Sequence, residues 1–249
     1  MLCSIYIVMY DVYQFFKKNI INIFVLSVLS AIINILLQYM LNINKTDLSI
    51  LYQAHAFKKI GSHVIQYRLN ANQKKIIFYM KRVKVTCLLV SAAFLYTSII
   101  YFLKSIYLTV YQKYYYVLKK TCQFFFLLIP IIGLEYLLIE LNISYFFILK
   151  ILFSMLLATF PMILLLDNNG ILGALRSSAR IAWDNIYIVF PAIILRFIFK
   201  FFVTILFKFC FMFSVYTNIF VLNVILNLGL SYIIICLFRL YLLQKKSVV

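Results

Sequence analysis

The sequence predicts an all-α fold, a polytopic integral membrane protein with about six transmembrane helices plus an interfacial amphipathic helix. Three observations predict it. The first is composition: 66% of the 249 residues are hydrophobic and 12% charged, with a mean hydropathy of +1.03. Soluble domains run nearer ~45–50% apolar and ~25% charged, so too few polar groups exist here to coat a water-soluble core. The second is pattern. The apolar runs are long and unbroken, whereas a transmembrane barrel alternates polar and apolar residues in short segments, and 5 Gly and 3 Pro are few for a turn-rich all-β chain. The third is that the basic residues sit mainly between the runs and at their ends.

A membrane-spanning helix needs about 20 predominantly apolar residues. Six windows qualify within a single transmembrane domain covering residues 1–249: Ile20–Leu41, Val85–Val110 (interrupted by Lys104), Thr121–Leu141, Phe146–Leu166, Ile188–Phe213 and Ile219–Leu243. Asn142–Tyr145 and Ser214–Asn218 are too short to cross a bilayer, so they predict two tight antiparallel hairpins. Residues 42–84 form a long polar loop. Within it Asp47–Tyr67 and Asn72–Lys84 look helical, the latter running straight into the second span.

Orientation follows from basic residues in short connections. The two tight links carry none. Lys17 and Lys18 precede the first span; Lys113, Lys119 and Lys120 follow the second; Arg176 and Arg180 follow the fourth; Lys245 and Lys246 close the chain. These place both termini in the cytoplasm. The loop 42–84 disagrees, with nine Lys and Arg on the outer side, but long segments obey the rule less strictly. The start Met1–Tyr10 is apolar without a basic n-region, and no small-residue cleavage site follows the first long run. The first span therefore reads as an uncleaved signal anchor.

The net charge is +18. In a soluble protein this would point to nucleic acid; at loops and helix ends it points to anionic lipid headgroups, so lipids are the expected partners and nucleic acid is not. A genome rich in A and T also raises Lys, Asn, Ile, Phe and Tyr, which is the plainer reading of much of the excess. Cys3, Cys87, Cys122, Cys210 and Cys236 are scattered, with no C-x-x-C, and read as small hydrophobes rather than a disulfide framework.

Residues 167–186 are the most informative connection. Asp167-Asn168-Asn169-Gly170 is a turn with capping residues. Ile171, Leu175, Ala179, Ala182 and Ile186 then recur on one helical face, and Arg176, Arg180 and Asp184 on the opposite one. This predicts an interfacial helix over about 170–186, its arginines among headgroups and Trp183 at interface depth. Arg180 and Asp184 are spaced to pair. Here the sequence resembles the YciC family. The likeness is carried by Leu157-Ala158-x-x-Pro161, Leu165-Leu166-Asp167-x-x-Gly170, Ala174-Leu175-Arg176-Ser177-Ser178-x-Arg180-x-Ala182-Trp183-x-Asn185, Pro191-Ala192 and the tail Leu237-Phe238-Arg239-Leu240-Tyr241. It covers essentially the whole chain, most specifically from Leu157 onward. The resemblance implies a multi-pass inner-membrane protein of a Gram-negative bacterium and names no substrate. The first loop is more basic than the family pattern.

No phosphate-binding Gly-rich loop, zinc-protease motif or nucleophile elbow occurs. His55 and His63, eight residues apart in a polar loop, lack further ligands, so neither metal nor cofactor is expected. Charges at membrane depth are functional candidates. Glu135 and Glu140 lie in or near the end of the third span, and Arg196, Lys200, Thr204 and Lys208 form a stripe on the fifth. Glu135, Arg196 and Lys200 could line a polar path or pair, against the plainer reading of snorkelling cations. Arg176, Arg180 and Trp183 are the candidates for a lipid headgroup, since Arg presents a planar fork to phosphate; the plainer reading is simple anchoring. A non-enzymatic membrane-structural, lipid- or partner-binding protein is the best-supported function. A small permease or transporter component is the alternative. A lipid-modifying enzyme would need clustered His, Asp or Glu at the interface, where only Asp167 and Asp184 are available.

Overall fold

The computed structural model describes residues 2–41, 71–105, 110–140, 147–167, 170–209 and 215–247. The regular elements among them are all helices: α1 (Leu2–Lys18), α2 (Ile20–Met40), α3 (Ala71–Lys104), α4 (Val110–Glu140), α5 (Phe147–Leu157), α6 (Phe160–Leu166), α7 (Ile171–Asp184), α8 (Ile186–Phe209) and α9 (Val215–Ser247). Helices are what an apolar chain must form in lipid, where each backbone N–H and C=O has to find its partner within the segment.

Among the described residues, five stretches are long and apolar enough to cross a membrane: Ile20–Met40, Arg82–Lys104, Gln112–Gly133, Ile186–Phe207 and Thr217–Lys245. The apolar window Phe146–Leu166 is interrupted, giving α5 and α6 with Ala158 and Thr159 between them. Two boundaries also differ from the sequence windows. The basic stretch before Thr121 is helical, so α4 begins at Val110, and α9 begins at Val215 rather than Ile219. The 33 residues of α9 rise about 50 Å at 1.5 Å each, more than the ~30 Å hydrocarbon layer. Asp47–Tyr67 and the link Asn142–Tyr145 lie outside the described residues.

The bundle is built around α3 and α9. Helix α3 packs against α2, α4, α6 and α9, and α9 also against α1, α2 and α8. Lipid tails are as apolar as leucine, so hydrophobicity does not drive these helices together; small residues and interhelical hydrogen bonds do. Ser27, Ser30, Ala31 and Asn34 form a buried stripe on α2. Ser30 Oγ donates to the Ser91 carbonyl of α3 at 2.8 Å. The Asn227 side-chain amide of α9 donates to the Ser27 carbonyl at 3.2 Å. At the α8–α9 crossing, Gly229 lets the Phe199 ring press onto the backbone, where a Cβ would overlap the ring.

The N-terminal helix, which no window anticipates, buries Val8 and Val12. It packs on α9 through an edge-to-face Phe16–Tyr232 pair, centroids 5.4 Å apart, and through Arg239, whose guanidinium lies 5.3 Å from the Phe15 ring centroid. Tyr6, Tyr10 and Tyr13 face outward. One end of the bundle thus gathers α1, the start of α2, the start of α4 (where Tyr114 donates to Asn22 Oδ1) and the end of α9.

Gly229→Leu should destabilise the protein by ~1–3 kcal/mol, the usual cost of overpacking. The check is thermal unfolding in detergent, with Phe199→Ala expected to restore part of the loss.

Candidate functional site

The site begins at the break between α5 and α6. Pro161 in the first turn of α6 has no N–H to return to the Leu157 carbonyl, and its ring would clash there. The chain therefore bends at Ala158–Thr159. Pro130 and Pro191 are accommodated inside α4 and α8, so proline alone does not set the break. What completes it comes from α7. Ser178 Oγ donates to the Leu156 carbonyl at 2.6 Å and lies 3.0 Å from Thr159 Oγ1. Thr159 and Ser178 are both fully buried. Backbone groups freed by the bend are satisfied by a neighbouring helix, the condition under which irregular backbone is tolerated at membrane depth.

That contact fixes which way α7 faces. Ala174, Ser178 and Ala182 are its buried residues, packed against α5 and α6. Ile171, Leu172, Leu175 and Trp183 are exposed, a surface suited to lipid. The sequence periodicity had assigned Ile171, Leu175 and Ala182 to one face; the structure splits them, Ala182 to the protein and the bulky side chains outward. Arg176, Arg180 and Asp184 form the third side. Arg180 and Asp184 make no ion pair among the described residues, although their spacing allows one. At the C-terminus of α7 the Asn185 side chain donates to the Ile181 carbonyl at 3.0 Å, and the Asn185 carbonyl accepts from Val189 N–H at 3.0 Å, opening α8.

The charged side of α7 faces the end of α9 across an open pocket of about 730 Å³, lined by Asp167, Arg176, Ser177, Arg180, Ile181, Tyr241, Gln244 and Lys245. Asp167 Oδ1 accepts from Tyr241 Oη at 2.8 Å and from Lys245 Nζ at 2.6 Å. The Tyr241 side is buried. The Lys245 side chain is 56% exposed, and an exposed pair of this kind contributes about 0–1 kcal/mol. The tyrosine therefore anchors Asp167, and Lys245 is held loosely enough to exchange partners. Three cations and one carboxylate give the pocket a net positive charge.

The structure brings Arg176 and Arg180 into this pocket and turns Trp183 to the neighbouring apolar surface. Whether Glu135 meets Arg196 and Lys200 of α8 lies outside the described residues. Glu135 falls in α4 with its side chain outside the described residues. Arg196 lines a small void at the helix break with Tyr96, Ser154 and Pro161, of about 10 Å³, room for about one water. Lys200 is exposed. Sequence reasoning missed Asp167, Tyr241 and Lys245 as site residues, and Ser178 and Thr159 as the joint that positions them. Tyr241 and Ser178 lie in the family-like strings; Lys245 had counted only toward orientation. No group of metal-ligating side chains occurs among the described residues, and Cys87, Cys122 and Cys236 are free thiols.

Long apolar helices knit by small and hydroxyl residues, with one amphipathic helix lying on them, make this a multi-pass helical membrane protein. The chain belongs to the UPF0259 family, the YciC family of bacterial membrane proteins: the model described as "Uncharacterised protein family (UPF0259)" matches residues 1–243. Similar proteins include a UPF0259 membrane protein of Buchnera aphidicola subsp. Baizongia pistaciae, 31% identical over 92% of this chain and 91% of the relative. Another, from Buchnera aphidicola subsp. Schizaphis graminum, is 28% identical over 95% and 96%. One from Wigglesworthia glossinidia brevipalpis is 28% identical over 94% and 93%. No solved structure matches.

Tyr241→Phe should cost ~0.5–1.5 kcal/mol, the net value of one intramolecular hydrogen bond. Lys245→Gln should cost less, within ~0–1 kcal/mol. Chemical unfolding of the two variants in the same detergent gives the order.

Proposed function

We propose that this chain is a non-enzymatic protein of the bacterial inner membrane, with both termini in the cytoplasm, that holds the headgroup of an anionic phospholipid in the pocket between α7 and the end of α9. The observation that carries the reading is the adjacency of two surfaces on α7. Arg176 and Arg180 line a pocket open to the surface, while Leu172, Leu175 and Trp183 stand exposed beside them. A phosphate and an acyl chain can therefore be met by neighbouring faces of one helix. Arginine forks match phosphate oxygens in two-point contacts, and basic pockets between helices on the cytoplasmic side suit anionic headgroups.

The orientation rests on charge. The end of the bundle that gathers α1, α7 and the end of α9 carries Lys17, Lys18, Lys113, Arg176, Arg180 and Lys245, as expected of a cytoplasmic face. Lys75, Arg82 and Lys84 at the start of α3 belong to the long first connection, which the rule constrains less.

The double variant Arg176→Gln/Arg180→Gln should retain severalfold less anionic phospholipid than wild type through purification in mild detergent, with zwitterionic lipid unchanged. Mass spectrometry of co-purified lipid reads both. Equal retention would remove the proposal.

A further inference from the structure

The charge and layout of the pocket narrow the class of lipid. Arg176 and Arg180 stand one turn apart on α7, close enough to close on a single phosphate together. Lys245 stands on the other wall, on α9, with its ammonium on Asp167 Oδ1. Asp167 is the one carboxylate among the residues lining the pocket. Three cations against one carboxylate leave a net charge of two, with cationic groups on both walls of the pocket.

We propose that the pocket takes a membrane lipid carrying two phosphates joined by a short bridge, of the diphosphatidylglycerol (cardiolipin) type. This rests on the lipid-binding reading above and goes beyond it in naming the headgroup. A single phosphodiester carries one negative charge; seated on the arginine pair, it leaves Lys245 with its internal carboxylate and the pocket still positive. A second phosphodiester takes the Lys245 ammonium from Asp167 and brings the pocket to neutrality. Asp167 keeps its bond from Tyr241, so the carboxylate stays in place as Lys245 changes partner. The α7 wall presents exposed apolar side chains beside its arginines, Leu172 and Trp183, as the acyl chains of a bound lipid require. A cavity of about 730 Å³ has room for a glycerol-bridged pair of phosphates.

The test uses the full chain in nanodiscs of zwitterionic lipid, titrated with cardiolipin or phosphatidylglycerol at equal phosphate concentration and read by native mass spectrometry. Wild type is expected to hold cardiolipin severalfold better per phosphate. Lys245→Gln should lose that preference while still binding phosphatidylglycerol, and Lys245→Arg should keep it, which separates lost charge from lost folding. Equal binding of the two lipids by wild type, or a preference that survives Lys245→Gln, would overturn the two-phosphate assignment and leave the simpler lipid reading standing. If Arg176→Gln/Arg180→Gln changes binding of neither lipid, both fail. A soluble-ligand arm uses inorganic pyrophosphate without anionic lipid: weak binding fits a lipid site, and binding as tight as cardiolipin's would overturn the lipid source.

Discussion

Ser178 sits beneath a gap in the α5–α6 backbone, and its hydroxyl supplies the hydrogen bond that a continuous helix would have made to the Leu156 carbonyl. In water such a gap would be solvated. Buried as it is beneath Thr159 and Ser178, an unmet carbonyl costs several kcal/mol, so the bend can exist only where a neighbouring helix closes it. The dependence runs both ways. The bend gives α7 a fixed seat, and α7, seated by Ala174, Ser178 and Ala182, is turned so that its arginines face α9 and its bulky apolar residues face outward.

The rest of the bundle is a more uniform solution to the same solvent. Helices α2, α3 and α9 approach through Ser27, Ser30, Ala31, Ser91 and Ser231, and the bonds they exchange give directional contact where apolar side chains gain little by leaving lipid. This core sets the position of α9, whose far end brings Tyr241 and Lys245 opposite α7. Asp167, capping the end of α6, then joins the two halves through its bonds to Tyr241 and Lys245.

Much of the architecture was legible in the sequence because lipid enforces it. The five long apolar helices, the amphipathic helix at 171–184 and the continuation of residues 72–84 into the second span follow from run length and periodicity. The break in the window Phe146–Leu166 was not legible. Pro130 and Pro191 show that proline in this chain does not by itself interrupt a helix, and the deciding partner, Ser178, is distant in sequence. The side of α7 that packs on protein, Ala174, Ser178 and Ala182, was not legible for a related reason: periodicity of bulky residues marks the lipid surface, while small residues mark the protein contact. The arginines of the pocket were visible as a charged face. Lys245 and Asp167, separated by 78 positions, share no local pattern, and only the packing of α9 beside the α6–α7 turn joins them. Helix α1 passed unnoticed because its apolar start is too short to read as a span.

The joint at Ser178 is therefore the claim on which the position of the pocket depends. Hydrogen exchange of the protein in nanodiscs, compared between wild type and Ser178→Ala, tests it most directly. Faster exchange is expected in 171–184 and around Leu156–Phe160, with α2, α3 and the central part of α9 unchanged. Exchange in α7 that stays at the wild-type rate in the variant would contradict the account, because α7 would then be held by something other than the break beneath it.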